Sequence, residues 1–450
     1  MSDMNQTSHA SERETHGVIT RQAAFEILEN VLQRRQPLDQ SIDQARGLNG
    51  LNTRDRAFVR MTVATTLRRL GQIDDIIRRF TDKPEPPSPP ALHTILRMGI
   101  AQILFMDVPD HAAVDTHVEL AVAENLSRQK GFINAILRRC TREGAEILEK
   151  QDAGRLNTPE WLMKQWIDDY DLRTAAEVAQ ANLAEAPLDI TLKDQEEREH
   201  WVSVLDASLL PTGSLRRSSG GNVHDLAGFN DGMWWVQDAA SAMPARLFGA
   251  DLSGKTVIDL CAAPGGKTAQ LAAQGANVMA LDRSVKRLSR LKENMKRLRL
   301  EDKVKTEVAD AAVWQPRDKA DFVLLDAPCT ATGTVRRHPD VIWLKQPQDL
   351  ESLVAVQRRI LENAAVMLAV GGTLIYCTCS IQKAEGEHQI ESFLQSETAK
   401  GLTRKPFTAD EIGDVNGALT EQGELRLLPS YLTALGGIDG FYAVRLVKES

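Results

Sequence analysis

The stretch TVIDLCAAPGGKT, residues 256–268, decides the fold. Thr256 to Asp259 reads as a short apolar strand, Ala263-Pro264-Gly265-Gly266 as a turn, and Lys267 to Ala273 as a helix. The alternation then repeats. Asn277–Asp282 is a second strand and Val285–Leu298 a basic helix, followed by strand Phe322–Asp326, helix Leu350–Leu368 and strand Thr373–Tyr376. Strands alternating with helices imply a doubly wound parallel sheet, a Rossmann-like α/β domain whose ligands lie at the carboxyl ends of its strands.

Two functions compete for the loop DLCAAPGGKT, which sits between strand and helix where backbone amides can face an anion or a cofactor. A phosphate loop has the pattern G-x-x-x-x-G-K-[ST]. Gly266-Lys267-Thr268 completes it, but Cys261 stands where its first glycine belongs, and a side chain there crowds the turn. The other candidate is a nucleoside cofactor lying across the sheet, with an acid at the end of the next strand on its ribose, about 20 residues on. Asp282 lies at that place, and Asp310 follows the next strand, within reach of an adenine amino group. For either residue alone, a turn or cap role stays open.

At 450 residues, and about 150 residues per domain, the chain has room for roughly three domains. With 42% hydrophobic and 26% charged residues it is neither collagen-like nor disordered throughout. No apolar window spans a membrane, and residues 1–16 lack the apolar core of a signal peptide, so a cytoplasmic protein with a short unordered tail is expected. From Thr20 to about Cys140 the pattern is helical: Ala24, Ile27, Leu28, Val31 and Leu32 form one stripe, and Ala57–Phe80 and Ala91–Met106 each suit a helix. Thr158-Pro159-Glu160 marks another helix start, and APLDITLK and SLLPTGSLRRSSGGN read as strands and turns of a mixed middle region. The net charge of −8 argues against a uniformly basic nucleic-acid binder. Locally, Arg283 to Lys305 carries ten basic residues against three acidic ones, either a solvated helix face or a contact for phosphates.

Five cysteines are too few and too scattered for a disulfide framework. Cys329, in Asp326-Ala-Pro-Cys329, and Cys379, in Tyr376-Cys-Thr-Cys-Ser380, follow two strands and can converge at the sheet's carboxyl edge. Cys377-x-Cys379 lacks the usual zinc spacing and a second pair, so no metal is expected. Cys140 and Cys377 read as buried structural thiols. A nucleophilic cysteine has a specific use on a pyrimidine: thiolate addition at carbon 6 of cytosine makes carbon 5 an enamine that attacks an electrophilic methyl group. An acid near the ring, for which Asp326 is placed, would hydrogen-bond its N3 and amino edge.

Together, DLCAAPGGKT, DAPCTATGTVRRHPD and YCTCS resemble the cytosine-5 RNA methyltransferases of the Fmu/Sun group, and DRAFVRMTVATTLRRLGQIDDII, LRMGIAQILFMDVPDHAAVDTHVELA and GFINAILRR resemble the antitermination factor NusB. The resemblance spans residues 18–445. It implies a tail over 1–17, an all-α NusB-like domain over 18–145, a mixed α+β connecting domain over 146–236 and a Rossmann-like methyltransferase domain over 237–450. It implies S-adenosyl-L-methionine as cofactor, held by Cys261, Ala262, Ala263, Pro264, Gly265, Gly266 and Lys267, with Asp282 on the ribose, Arg287 beside it, Asp310 on the adenine side and Asp326 at both cofactor and base. Cys379 would be the nucleophile and Cys329 would assist product release. The partner implied is RNA, namely small-subunit (16S) rRNA, acted on by a monomer without metal or membrane. Thr191, Lys193 and Lys383-Ala384 depart from the group's usual residues, which bears on RNA contacts more than on chemistry. A non-catalytic RNA-binding antitermination factor with a degenerate catalytic domain is the competing function.

Overall fold

Continuous apolar runs such as Val257-Ile258 and Val323-Leu324-Leu325 suit strands covered on both faces, and all five residues are buried. The computed structural model describes residues 3–81, 85–217 and 221–450, with side chains described from residue 17 onward. The expected tail over 1–17 thus falls almost entirely outside the described side chains; the first helix runs Asp3–Leu32.

The chain forms two compact units. The first takes residues 1–167, 172–184 and 336–345, and the second takes 168–171, 185–335 and 346–450. The three parts expected from the sequence are distributed over these two units. The middle region's helices through Ala184 go with the first unit, and its strands, a small sheet, go with the larger sheet in the second.

In the helical unit, Ala24, Ile27, Leu28 and Val31 are buried as their spacing requires. The single helix expected over 57–80 is two, Thr53–Arg68 and Leu70–Thr81. A tertiary cap explains the break: Asn157 Oδ1 accepts from the Gly71 and Gln72 N–H groups at 3.0 and 3.1 Å, satisfying donors that a fresh helix start leaves open. The segment Arg336–Lys345 also belongs to this unit. Asp340 accepts from Leu38 N–H at 2.9 Å, the Trp343 indole donates to the Leu67 carbonyl at 2.9 Å, and Arg68 donates to the Arg336 carbonyl at 3.1 Å.

The second unit holds two sheets. The strands β1 (Leu188–Leu192), β2 (Ser208–Leu209), β3 (Leu215–Arg217) and β4 (Trp234–Val236) pair antiparallel in the order β2-β3-β1-β4. The larger sheet comprises β5 (Thr256–Leu260), β6 (Asn277–Asp282), β7 (Val304–Val308), β8 (Ala320–Asp326), β9 (Leu368–Thr378), β10 (Leu402–Arg404), β11 (Leu425–Leu427) and β12 (Phe441–Lys448). Its order is β10-β12-β9-β8-β5-β6-β7, with β11 also on β12. The strands β5 to β9 are parallel, as expected, but β10, β11 and β12 run antiparallel, so the sheet is mixed. These strands escaped the period analysis because two of them have three residues each. Among the described residues no helix is long and apolar enough to cross a membrane.

A buried ion pair ties the small sheet down. Asp189, fully buried on β1, accepts from Arg216 Nε and Nη2 of β3, both at 2.7 Å, and from Ala239 N–H at 3.1 Å. Arg216 also donates to the carbonyls of Leu435 and Gly437 at 2.8 and 2.5 Å. Removing one member strands a buried charge, so Asp189→Ala should destabilise this unit by about 3–5 kcal/mol in urea unfolding. A loss below about 1 kcal/mol would show that the arginine finds other partners at little cost.

Candidate active site

The order β9-β8-β5-β6-β7 places β8 beside β5 although the chain visits β6 and β7 between them. Loops leaving β5 and β8 therefore diverge, opening a crevice at their carboxyl ends where α/β proteins bind ligands. The first loop is Cys261 to Gly266. Cys261 has φ +62° and Gly265 φ +103°, and Gly265 caps the helix Gly266–Ala273. A Cβ on Gly265 would be strained by that φ and would lie 2.8 Å from Leu291 Cγ. Burial pushes the Cys261 thiol up to about 12, with the Asp326 and Asp282 charges adding to it, so it stays protonated.

Asp282, at the end of β6, turns back onto this loop. One oxygen accepts from Ala263 N–H at 3.3 Å and pairs with Arg287 Nη1 at 3.3 Å, and the other accepts from Ser284 N–H at 2.9 Å. Arg287 also donates to the Ala263 carbonyl. A carboxylate offers about four acceptor sites, so three donors leave room for another hydroxyl. Asp310 follows β7, where Oδ1 accepts from Ala312 N–H at 3.0 Å. One of its oxygens is thus engaged in a turn, and the preceding Ala309 N–H donates to the Asp282 carbonyl at 3.3 Å, so Asp310 leaves β7 beside the end of β6.

Lys267 is buried beneath the loop, and its Nζ donates to Asp326 Oδ2 at 2.8 Å and lies 5.1 Å from the Phe441 ring centroid. Burial opposes its charge, but Asp326 and neighbouring Cys377 outweigh that and hold its pKa above the usual lysine value. The other Asp326 oxygen faces the Cys377 thiol at 3.7 Å. Cys377 is fully buried and, by burial first and then the Asp326 charge, held well above the usual thiol range.

The two cysteines expected to converge do so: Cys329 Sγ and Cys379 Sγ are 3.4 Å apart. Gly333 N–H donates to the Cys379 carbonyl at 3.0 Å, and the Gly333 carbonyl accepts from Gly440 N–H at 2.8 Å. The approach is so close that a Cβ on Gly333 would sit 2.1 Å from the Gly440 oxygen.

Several residues of this constellation had no signature in the sequence. Glu385 and Gln357 are buried beneath the Pro328-Cys329-Thr330 turn, and Arg426 donates to the Ser380 carbonyl at 2.7 Å while pairing with Glu387 at 2.5 Å. Asp259 on β5 accepts from the Thr268 hydroxyl at 2.6 Å. Glu385, Gln357 and Arg426 lie far in sequence from their partners, so only the fold reveals them, whereas Asp259 and Thr268 are the two ends of the loop motif DLCAAPGGKT.

The family described as 16S rRNA methyltransferase RsmB/F matches residues 250–447, and the NusB family matches residues 18–142. The ribosomal RNA small subunit methyltransferase B of Escherichia coli (strain K12) is 32% identical over 435 residues, covering 92% of this chain and 97% of that protein. That of Erwinia tasmaniensis is 34% identical over 439 residues, covering 95% and 98%. This chain belongs to the RsmB/F family of rRNA methyltransferases. The crystal structure of PH0851 superposes on this RsmB/F member with a TM-score of 0.73 at 24% identity, covering 95% of this chain and 98% of that one. NSun6 from Pyrococcus horikoshii with SFG superposes with a TM-score of 0.57 at 19% identity, covering 65% and 98%. At these identities the likeness is one of fold, and it agrees with a multidomain RsmB/F protein having a helical NusB-type region, a small mixed sheet and a Rossmann-like sheet.

Burial pushes the Asp259 carboxyl up to about 7, the Thr268 hydrogen bond opposing. A folded pKa above the unfolded one, near 3.9, means that stability is fully present below about pH 4 and is lost as pH rises through 7. Between pH 5 and pH 8 the loss should be about 2–3 kcal/mol. Asp259→Asn lacks the titration, so the difference between wild type and variant in urea unfolding should shift by that amount in favour of the variant at pH 8. An equal difference at both pH values would contradict a proton on Asp259.

Proposed function

We propose that the chain transfers a methyl group from S-adenosyl-L-methionine to carbon 5 of a cytosine in 16S rRNA, through a covalent bond between Cys379 and carbon 6. The observation that carries this reading is the pair of sulfurs 3.4 Å apart at the carboxyl edge of β8 and β9, beside Asp326. Nothing about a purely structural thiol calls for a second thiol, a carboxylate and a buried lysine in one crevice.

The cofactor loop fits its ligand by its donor set. Residues 261–267 open a helix N-terminus, and Asp282 retains acceptor capacity for ribose hydroxyls. Asp310 is the adenine-side candidate, with one oxygen engaged in its turn. S-adenosylmethionine supplies an electrophilic methyl group. The chain's own residues do the rest. The Cys379 thiolate adds to carbon 6, and the ring's displaced electron pair is accommodated as N3 gains a proton at the edge faced by Asp326, which Lys267 holds in place. After methylation the carbon-5 proton and the proton taken up at N3 both leave, the carbon–sulfur bond breaks to return the Cys379 thiolate, and the ring double bond re-forms. Cys329, in contact with Cys379, assists this second half.

The RNA is held by cationic surface. Arg283, Lys292, Lys296, Arg299, Lys303 and Lys305 are all exposed on or beside the helix Val285–Leu298. Neutralised phosphates release counterions, each lowering the salt slope of log K by about 0.7–0.9. Lys292→Glu with Lys296→Glu should weaken RNA binding and flatten that slope by about 1–2. An unchanged slope would leave this helix as a solvated face.

Wild-type protein should transfer radiolabelled methyl from S-adenosylmethionine to 16S rRNA. Cys379→Ala should abolish transfer and form no adduct. Cys329→Ala should stall after attack and accumulate a protein–RNA complex that survives denaturing electrophoresis, and the double variant should form none. An adduct only in Cys379→Ala would exchange the two roles, and activity retained in both variants would remove the cysteines from the chemistry. RNA binding without any methyl transfer would favour the non-catalytic binding function.

A further inference from the structure

The turn that presents Cys329 rests on a side chain to which the methyl-transfer reading gives no task. Glu385 is fully buried at the end of the short turn Lys383–Glu385, and three donors converge on its carboxylate. Thr330 N–H at 2.9 Å and Gln357 Nε2–H at 2.8 Å reach Oε1, and the Thr330 hydroxyl reaches Oε2. Gln357 Nε2 also donates to the Pro328 carbonyl at 2.9 Å, so both neighbours of Cys329 are tied to one acid and its amide partner. From the other side, the Tyr376 hydroxyl donates to the Glu385 main-chain carbonyl at 2.9 Å, fixing the turn to β9 three residues before Cys379. A buried carboxylate is costly unless fully hydrogen-bonded, and an apolar plug would fill the same space at less cost. An acid placed here, with three donors built around it, therefore points to a use for the acid.

The ionisable groups facing Cys329 are Cys379, Glu385 and Tyr376. The hydrogen bond with Cys379, burial, and the negative charges of Cys379 and Glu385 hold the Cys329 thiol well above the usual thiol range. On the far side of the pair, the cationic Lys267 interacts with Cys379 and Cys377. The electrostatic surroundings of the two sulfurs are thus unequal.

We propose that Glu385 is a positioning residue that fixes the Cys329 turn against Cys379 and keeps Cys329 as a thiol, so that Cys379 is the sulfur free to attack. A Cys329 thiol can donate a hydrogen bond to the Cys379 sulfur as that sulfur leaves carbon 6. This rests on the assignment of the two cysteines above, but its first test uses the free enzyme, without RNA or methyl transfer.

Full-length wild type and E385Q, matched for folding by circular dichroism and thermal melting, would be labelled with iodoacetamide from pH 6 to 10, and each cysteine followed by mass spectrometry. Only the thiolate reacts, so labelling at fixed pH follows thiolate fraction, about tenfold per pH unit below the midpoint. Wild type should label Cys379 ahead of Cys329. E385Q should shift the Cys329 profile down by about one pH unit and label it about tenfold faster at pH 8, with Cys379 changing less. A Cys329 profile that superimposes on wild type overturns the proposal and leaves the cysteine chemistry standing. Should E385Q not fold, Thr330→Val removes one donor and keeps the acid. It should lower kcat at unchanged KM for RNA and accumulate the denaturation-resistant complex, whereas unaltered kcat would overturn the positioning role.

Discussion

The adjacency of β5 and β8 is the constraint on which the site depends. Because the chain runs outward through β6 and β7 before returning to β8, loops from neighbouring strands leave in opposite directions and no connection fills the space above them. The loop 261–266, Asp326 and Cys329 follow directly from those two strands. Cys379 follows from β9, which lies next to β8 in a register that sets Asp326 opposite Cys377. A slip of one residue in this parallel pairing would turn Cys377 and its neighbours to the other face, so the hydrogen-bonded ladder is what brings sulfur to carboxylate.

A crevice built this way exposes backbone and buries charge, and the protein resolves both with a small number of fully engaged polar side chains. Arg426 with Glu387 and Arg216 with Asp189 are buried or nearly so, Lys267 is buried against a part-exposed Asp326, and each arginine also donates to main-chain carbonyls of irregular segments. Carbonyls at Ser380, Leu435 and Gly437 belong to loops that no ladder satisfies, and a guanidinium with five donors can hold a carboxylate and a loop at once. These pairs serve geometry more than net stability, since buried ion pairs gain little over apolar packing.

Much of this was legible in the sequence, and the limits have physical causes. The strand Asn277–Asp282 and the helix Val285–Leu298 have the bounds expected, because an apolar run after the turn at Gly275 and a 3.6-residue stripe are local signals. Cys329 and Cys379 could be placed together from strand ends alone. The break at Arg69 could not, since it depends on Asn157, far along the chain. Neither could the role of Glu385, one of several acids in a polar stretch until Thr330 and Gln357 are folded onto it. Asp310 fits its expected place after β7, yet its carboxylate is partly engaged in a local turn, the alternative that its position always allowed.

The residues 336–345 leave the catalytic unit directly after the Cys329 turn, are gripped by Leu38, Leu67 and Arg68, and return at Gln346 to cap the helix Pro347–Met367. Modularity in the ordinary sense, one cut yielding two independent pieces, is thereby lost. Any truncation that removes the helical region leaves ten residues in the middle of the catalytic sequence without their hydrogen-bond partners. A fusion that grafts a different recognition module onto the amino terminus would inherit the same orphaned stretch. The helical region and the methyltransferase are exchangeable only as a set, with RRHPDVIWLK travelling with the helices that hold it.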